Sequence, residues 1–351
     1  MRLGVSDQGN DAMGSTTRTG YDLLAKGFGP GFNGQVLLVA STPTDHQRQA
    51  FVGDIAKLQA MAGTNDIAAV EFDSRQLSGA VPPRVMVASL IPATSPQAAE
   101  TSDLINNLRG TILPDLAGTS GLKVLVGGST AAFNDFAATL SARLPLFIGA
   151  VVLFSFLLLM LVFRSLVVPL TAALMNLLSI GAALGVVVAV FQHGVLGSLL
   201  GVNRAGPIEP YVPVMLFAII FGLSMDYEVF LVSRIHEEWL RRQDNTEAVR
   251  AGLAATGKTI TAAALIMILV FGSFILGGEK VIKEFGIGLA VGILVDAVVI
   301  RMAIVPALMK LLGRSNWWYP RWLDRITPRI SVDLSVEDED EAEPMKVGAN
   351  S

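Results

Sequence analysis

Four ionisable side chains and one phenol fall within stretches that are otherwise apolar: Asp226, Tyr227 and Glu228 in one, Asp296 and Arg301 in another. A charge at the centre of a hydrocarbon layer costs roughly 2.5 to 3.5 kcal/mol even on the lenient insertion scale, so such groups are functional candidates by default. Asp226 lies about 22 Å along a helix from Tyr211, deep in its stretch. Burial disfavours a carboxylate's charged form, and a neighbouring hydroxyl such as that of Tyr227 can stabilise one of its two states. A group of this kind can couple proton uptake to a conformational change; the alternative is a structural ion pair or polar contact between helices. Glu228, two positions on, is about 200° around the helix and cannot share a face with Asp226. It is expected to reach towards the cytoplasmic interface. Asp296 and Arg301 are five residues apart, a poorer pairing distance within a helix than three or four. Each is therefore expected to seek a partner on another helix, with a structural role standing beside proton transfer.

The elements that hold these residues must be membrane spans. The 351 residues are 52% hydrophobic and 16% charged, with a mean hydropathy of +0.55, which is not the composition of a soluble chain. Five spans are predicted, at about 144–163, 166–191, 211–233, 259–278 and 285–309, each long enough to cross a core roughly 30 Å thick. They form a domain over 144–312, preceded by residues 1–143 and followed by a tail over 313–351. The first 143 residues carry 22 charged side chains and read as a domain outside the bilayer. Lys and Arg concentrate at Arg164, between Arg234 and Lys258, and after Lys310, whereas Arg204, Lys280 and Lys283 fall on the other side. The positive-inside rule then places the N-terminal domain extracytoplasmic and the tail cytoplasmic, in a multi-pass protein of the cell membrane. The tail holds seven carboxylates between Asp333 and Glu343 and reads as solvated and disordered from about residue 332.

Within the N-terminal domain, a helix over 16–26 precedes strands and helices in the order βαββαβ: 35–40, 44–62, 68–72, 84–91, 96–115 and 123–127. That is the split βαβ pattern of a ferredoxin-like α+β domain. A last helix from Ser129, whose hydroxyl is positioned to cap it, is expected to run through Arg143 into the first span. Such a continuation would couple domain movement to membrane movement. An exported domain also needs an export signal or a preceding span, and no apolar segment of that length lies in Met1 to Thr44, so the expectation is a fragment or a half whose upstream partner is supplied separately.

Several chemistries are disfavoured. There are no cysteines, so thiolate nucleophiles, disulfides and thiolate metal sites are excluded. His46, His193 and His236 are isolated and cannot form a zinc cluster alone. A net charge of -4 offers no footprint for nucleic acid. Gly29-Pro-Gly-Phe-Asn-Gly34 matches the dinucleotide fingerprint formally, but a helix precedes it and a strand follows, the reverse of the order that brings phosphate to a helix N-terminus. Without a P-loop, a nucleophile elbow or a metal constellation in the spans, the chain is not expected to be an enzyme or to hold a cofactor. Gly181, Ala182 and Gly185, with Gly286, Gly288 and Gly292, suit close helix contact.

Four stretches together resemble one family. They are Tyr21-Asp-Leu-Leu-Ala-Lys-Gly-Phe-Gly-Pro-Gly-Phe-Asn-Gly34; Phe163-Arg-Ser-Leu-Val-Val-Pro169 with Asn176-Leu-Leu-Ser179; Phe221-Gly-Leu-Ser-Met-Asp-Tyr-Glu-Val-Phe-Leu231; and Gly292-Ile-Leu-Val-Asp-Ala-Val-Val-Ile-Arg301. In that order, over about Arg2 to Asp324, they resemble the MMPL (mycobacterial membrane protein large) transporters of the resistance-nodulation-division superfamily. The resemblance implies the second of two repeats, from just after its first span. It implies an exported porter-like domain, with the proton gradient as energy source and lipids or other hydrophobic molecules as substrates. Asp226 and Tyr227 match one Asp-Tyr pair of the family's proton relay, which meets its counterpart from the other repeat in mid-membrane. Asp296, Arg301 and Glu228 would be supporting charges. The expected partners are therefore a membrane, an apolar substrate, and a complementary first-repeat half or another protomer. The competing expectation is a truncated, non-transporting scaffold that binds lipid or a partner protein.

Overall fold

The computed structural model describes residues 1–77, 84–202 and 204–326. The acidic stretch of the tail lies outside the described residues.

Local chemistry sets the ends of the N-terminal elements. The Ser15 hydroxyl accepts from the Arg18 amide at the start of α1 (Thr16–Phe28), and Thr44 with Gln47 forms a capping box at the start of α2 (Asp45–Ala60), in each case satisfying orphan helix donors. Strands β1 (Val36–Ser41), β2 (Ile67–Glu71), β3 (Val85–Pro92) and β4 (Val124–Gly127) form one sheet in the order β2-β3-β1-β4. All neighbours are antiparallel, with Leu38 opposite Ala88 on one side and Val126 on the other. Thus β1 and β2 are parallel and separated by β3, a βαβ unit split by an inserted strand. The second helical crossover is α3 (Ala99–Asn107), a π-helical turn, and α4 (Leu113–Ser120). Phe51, Ile55 and Leu58 of α2, with Leu104 and Ile105 of α3, cover Leu38, Met86 and Leu90 of the sheet in one core. The glycine-rich stretch is a short helical turn, Pro30–Gly34. A Cβ at Gly31 would stand 1.8 Å from the Pro92 carbonyl oxygen and one at Gly34 2.4 Å from the Pro96 ring. These glycines let the turn lie against the end of β3.

A single helix, α5 (Ser129–Phe163), leaves this sheet and continues into apolar sequence. Its cap differs from expectation: Gly128 occupies the N-cap position and makes no side-chain cap, while Ser129 is already inside the helix. With φ +93°, and with an added Cβ only 3.2 Å from the Gln35 carbonyl oxygen, position 128 suits glycine and not serine. Next come α6 (Val167–Val187), α7 (Val212–Arg242), α8 (Asn245–Ser273), α9 (Lys280–Leu294), a π-helical segment (Val295–Ile304) and α10 (Val305–Leu312). Among the described residues, five continuous helical stretches, Ser129–Phe163, Val167–Gln192, Val212–Arg242, Asn245–Leu276 and Lys280–Trp317, are long and apolar enough to cross a membrane. A short helix, α11 (Arg321–Ile326), ends the described chain.

The glycines divide into two groups. A Cβ at Gly288 would meet Leu216 at 2.6 Å, one at Gly292 would meet Ile220 at 2.5 Å, and one at Gly286 would meet the Phe274 side chain at 2.9 Å, so α9 approaches α7 and the end of α8 closely. Gly181 and Gly185 instead face open space. Their smallness is not used for contact among the described residues.

The two parts of the molecule are also joined by residues 2–7. Leu3 bridges Ile208 in parallel, the Gly4 amide donates to the Ile208 carbonyl and the Ile208 amide to that of Arg2, both at 3.0 Å. The Ser6 amide donates to the buried Glu209 carboxylate just before α7. Asp7 then receives the Tyr21 hydroxyl of α1 at 3.0 Å and the Gln97 amide at 2.5 Å. Burial, with the Asp7 charge beside it, pushes the Tyr21 phenol above its usual range. Segment 2–7 is thus a strap from the start of α7 to the sheet domain.

Candidate functional site

Helix α7 presents its polar residues on two sides. Phe217, Ile220, Phe221, Ser224, Glu228 and Leu231 turn inward and are buried, whereas Ala218, Gly222, Asp226 and Phe230, spaced four apart, are exposed on the bundle exterior. The 200° between Asp226 and Glu228 therefore separates an external carboxylate from an internal one.

Behind Glu228 lies a buried polar cluster. Arg301, only 1% exposed, donates from Nη2 to the Asp296 carboxylate at 3.0 Å and to the Ser224 carbonyl oxygen at 2.7 Å. The Ser224 hydroxyl lies 2.8 Å from Asp296 Oδ1 and 2.5 Å from Asn176 Oδ1 of α6. A hydroxyl carries one proton, so Ser224 can donate to only one of them. Glu228 stands 3.9 Å from Arg301, whose guanidinium is also 5.6 Å from the centre of the Tyr227 ring. Nε and Nη1 of Arg301 and Nδ2 of Asn176 are buried without a hydrogen-bond partner. Three helices thus contribute to one site with one cation and two carboxylates.

Two expectations about these residues are corrected. Asp296 and Arg301 pair directly with each other as well as with α7, because Val295–Ile304 is π-helical. In an α-helix a spacing of five leaves residues about 140° apart; the i→i+5 hydrogen bonding of a π-helix returns the fifth residue to nearly the same side. The bond from the Val305 amide to the Ile300 carbonyl has this spacing. Glu228 does not reach an interface: it is 4% exposed and turns towards Arg301. A small cavity of about 10 Å³ is lined by Glu228 with Val168, Thr171, Val305 and Asn316 among others, close to the space of a single water.

Asp226 and Tyr227 do not meet within this chain. The Tyr227 hydroxyl lies 3.8 Å from the Met267 sulfur on α8, and Asp226 has no hydrogen-bond or ion-pair partner among the described residues. Asn176 and Ser224 were not singled out as site residues from the sequence. Ser224 carried a usable signal, four residues before Glu228 on the same face, whereas Asn176, an amide within an uncharged run, carried none.

Among the described residues no group of three or more His, Cys, Asp or Glu is placed to hold a metal. Comparison with known proteins agrees with the membrane architecture. Residues 85–330 match the family model described as MMPL family. The chain is 38% identical over 335 residues to membrane protein YdfJ of Bacillus subtilis, an alignment covering 95% of this chain and 45% of that protein. It is 36% identical over 325 residues to the mycolic acid-containing lipids exporter MmpL11 of Mycolicibacterium smegmatis, covering 90% and 33%. With the trehalose monomycolate exporter MmpL3 of Mycobacterium tuberculosis the figures are 39% over 242 residues, 69% and 25%. The chain spans less than half the length of these curated relatives. A matched family model over most of the chain, four ordered motifs and five apolar helices place this protein in the MMPL family of the resistance-nodulation-division superfamily.

Proposed function

We propose that this chain acts as one half of a proton-driven exporter of lipids or other hydrophobic molecules, and that Asp226 carries the coupling proton. The observation that carries this reading is the exterior face of α7. A lone carboxylate stands on a stripe whose preceding members, Ala218 and Gly222, are small. Facing lipid, it would incur roughly 2.5 to 3.5 kcal/mol if charged; the small residues instead allow another helix to approach closely and cover it. That neighbour is the complementary repeat or a second protomer, and Tyr227 supplies a hydroxyl at the edge of the same contact. Asp296, Arg301 and Glu228 form the rigid polar support behind it. The named activities of the two mycobacterial exporters, both for mycolate-containing lipids, favour amphipathic lipids over small polar solutes.

In this reading the antiparallel sheet domain is a ferredoxin-like, porter-like unit outside the membrane, the end bearing Arg234 to Lys258 and Lys310 to Arg325 is cytoplasmic, and no cofactor beyond the proton gradient takes part. The strap and α5 link the outer domain to α7 and the bundle, two routes by which a protonation change could move the substrate-handling domain. The test is proton-driven lipid efflux in vesicles containing this chain with its complementary half. Asp226→Asn keeps size and hydrogen-bonding capacity, so the variant should assemble at normal abundance and transport nothing. Retained efflux would remove Asp226 from the coupling role, and absence of efflux with the native residue present would favour the scaffold reading.

A further inference from the structure

All four tryptophans of the sequence, Trp239, Trp317, Trp318 and Trp322, lie at the same end of the bundle, and they divide into an inner and an outer pair. The inner pair is built into the fold. Trp317 stacks on His236 at 4.6 Å and lies 6.2 Å from Trp239, and its indole nitrogen donates to Asn245 at 3.3 Å. The buried Asn316 amide holds the carbonyls of Met309 and Gly313 at 2.6 and 2.8 Å. The outer pair is uncovered, with Trp318 56% and Trp322 65% exposed, beside Leu311 at 82%.

The height of this segment is set by the turn between α5 and α6. The Ser165 hydroxyl donates to the Asn316 carbonyl and the Leu166 amide to that of Trp318, while Arg164 pairs with Asp324 and packs over the Tyr319 ring. That turn is three residues, Arg164 to Leu166, between apolar helices ending at Phe163 and starting at Val167; with both helices spanning a bilayer, so short a turn lies at its surface. Residues 311–325 are tied to that turn. Lys310, Arg314, Arg321 and Arg325 are exposed there and have no ion-pair partner among the described residues. Tryptophan prefers this depth, and basic side chains beside it attract anionic lipid.

We infer that residues 311–325 form a rigid foot that docks on the bilayer surface, with Trp318, Trp322 and Leu311 seated among the upper acyl chains and Arg314, Arg321 and Arg325 on anionic phospholipid headgroups. The assignment is independent of the transport reading and of which leaflet the foot faces. Because no other tryptophan exists in the chain, intrinsic emission reports on this end alone. In nanodiscs of phosphatidylcholine containing some phosphatidylglycerol, brominated phosphatidylglycerol should quench the emission more strongly than brominated phosphatidylcholine at equal mole fraction. Replacing the three arginines by Gln should lower the apparent preference by about fivefold per removed cation, and Trp318→Leu with Trp322→Leu should remove most of the quenching. Equal quenching by the two lipids in the native chain would overturn the anionic assignment without any variant. Water-exposed emission quenched by neither lipid would overturn the foot itself. Lipid quenching that appears only after deletion of residues 331–351 would assign the basic face to the acidic tail instead.

Discussion

Two carboxylates two positions apart on α7 are expected to respond differently to removal of charge. Arg301 is the only cation near Asp296 and Glu228 among the described residues, so Arg301→Met leaves both carboxylates without it. Breaking a buried pair from one side costs about 3 to 5 kcal/mol, and the melting temperature of the detergent-solubilised chain should fall accordingly. Asp226→Asn removes no hydrogen bond or ion pair among the described residues, and its effect on the same measurement should stay within about 0.5 kcal/mol. If the two variants melt together, the division of α7 into a supporting face and a coupling face is wrong. The orphaned Arg301 and Asn176 nitrogens are where the support has unused donors, and a buried water is the usual occupant of such a position.

Packing between helices depends on glycine in α9 and not in α6. Gly292→Leu would drive a side chain into Ile220 and Ala183, whose atoms already lie 2.5 and 3.2 Å from a Cβ, and overpacking of this kind costs about 1 to 3 kcal/mol or more. Gly185→Ala meets nothing within 4 Å, so in the isolated chain it should be neutral or stabilise slightly through helix propensity, by up to about 1 kcal/mol. In the presence of a complementary half, impaired assembly of the Gly185 variant would identify α6 as part of the contact. The π-helical segment is the other element-scale device. It places Asp296 and Arg301 on one side of the helix and lets both reach Ser224, which continuous α-helix would not do.

For the whole molecule the decisive measurement is topology. The sequence contains no cysteine, so single cysteines at the exposed Ser74 and Thr246 can be labelled without background. An impermeant thiol reagent added to intact cells is expected to modify position 74 and spare position 246. The reverse pattern would invert the proposed orientation and with it the direction of transport. The strap makes a separate prediction: a disulfide between cysteines placed at Leu3 and Ile208 should form readily, and if the strap transmits motion by staying attached, the cross-linked protein should retain efflux. Efflux lost on oxidation and recovered on reduction would show that the strap must release.

The number of apolar helices and the succession of strands and helices along the chain could be read from the sequence because both rest on local sums. Twenty apolar residues satisfy the bilayer wherever they occur, and alternation of side chains, with capping at Thr44, marks strands and helices within a few residues. The candidate charges stood out for the same reason: a charge within an apolar run is visible from the residue and its neighbours in sequence. Pairing was not legible. Whether Asp296 meets Arg301 depends on a local change of helical twist that a 3.6-residue period does not encode, and whether Glu228 faces water or guanidinium depends on where the Val295–Ile304 segment packs. The same limit applied to the glycines, alike in sequence but buried in α9 and exposed in α6, and to residues 2–7, whose partner Ile208 is some two hundred positions away. Hydropathy is set residue by residue along the chain, whereas a contact requires two distant segments to arrive together, and only the packed bundle decides which ones do.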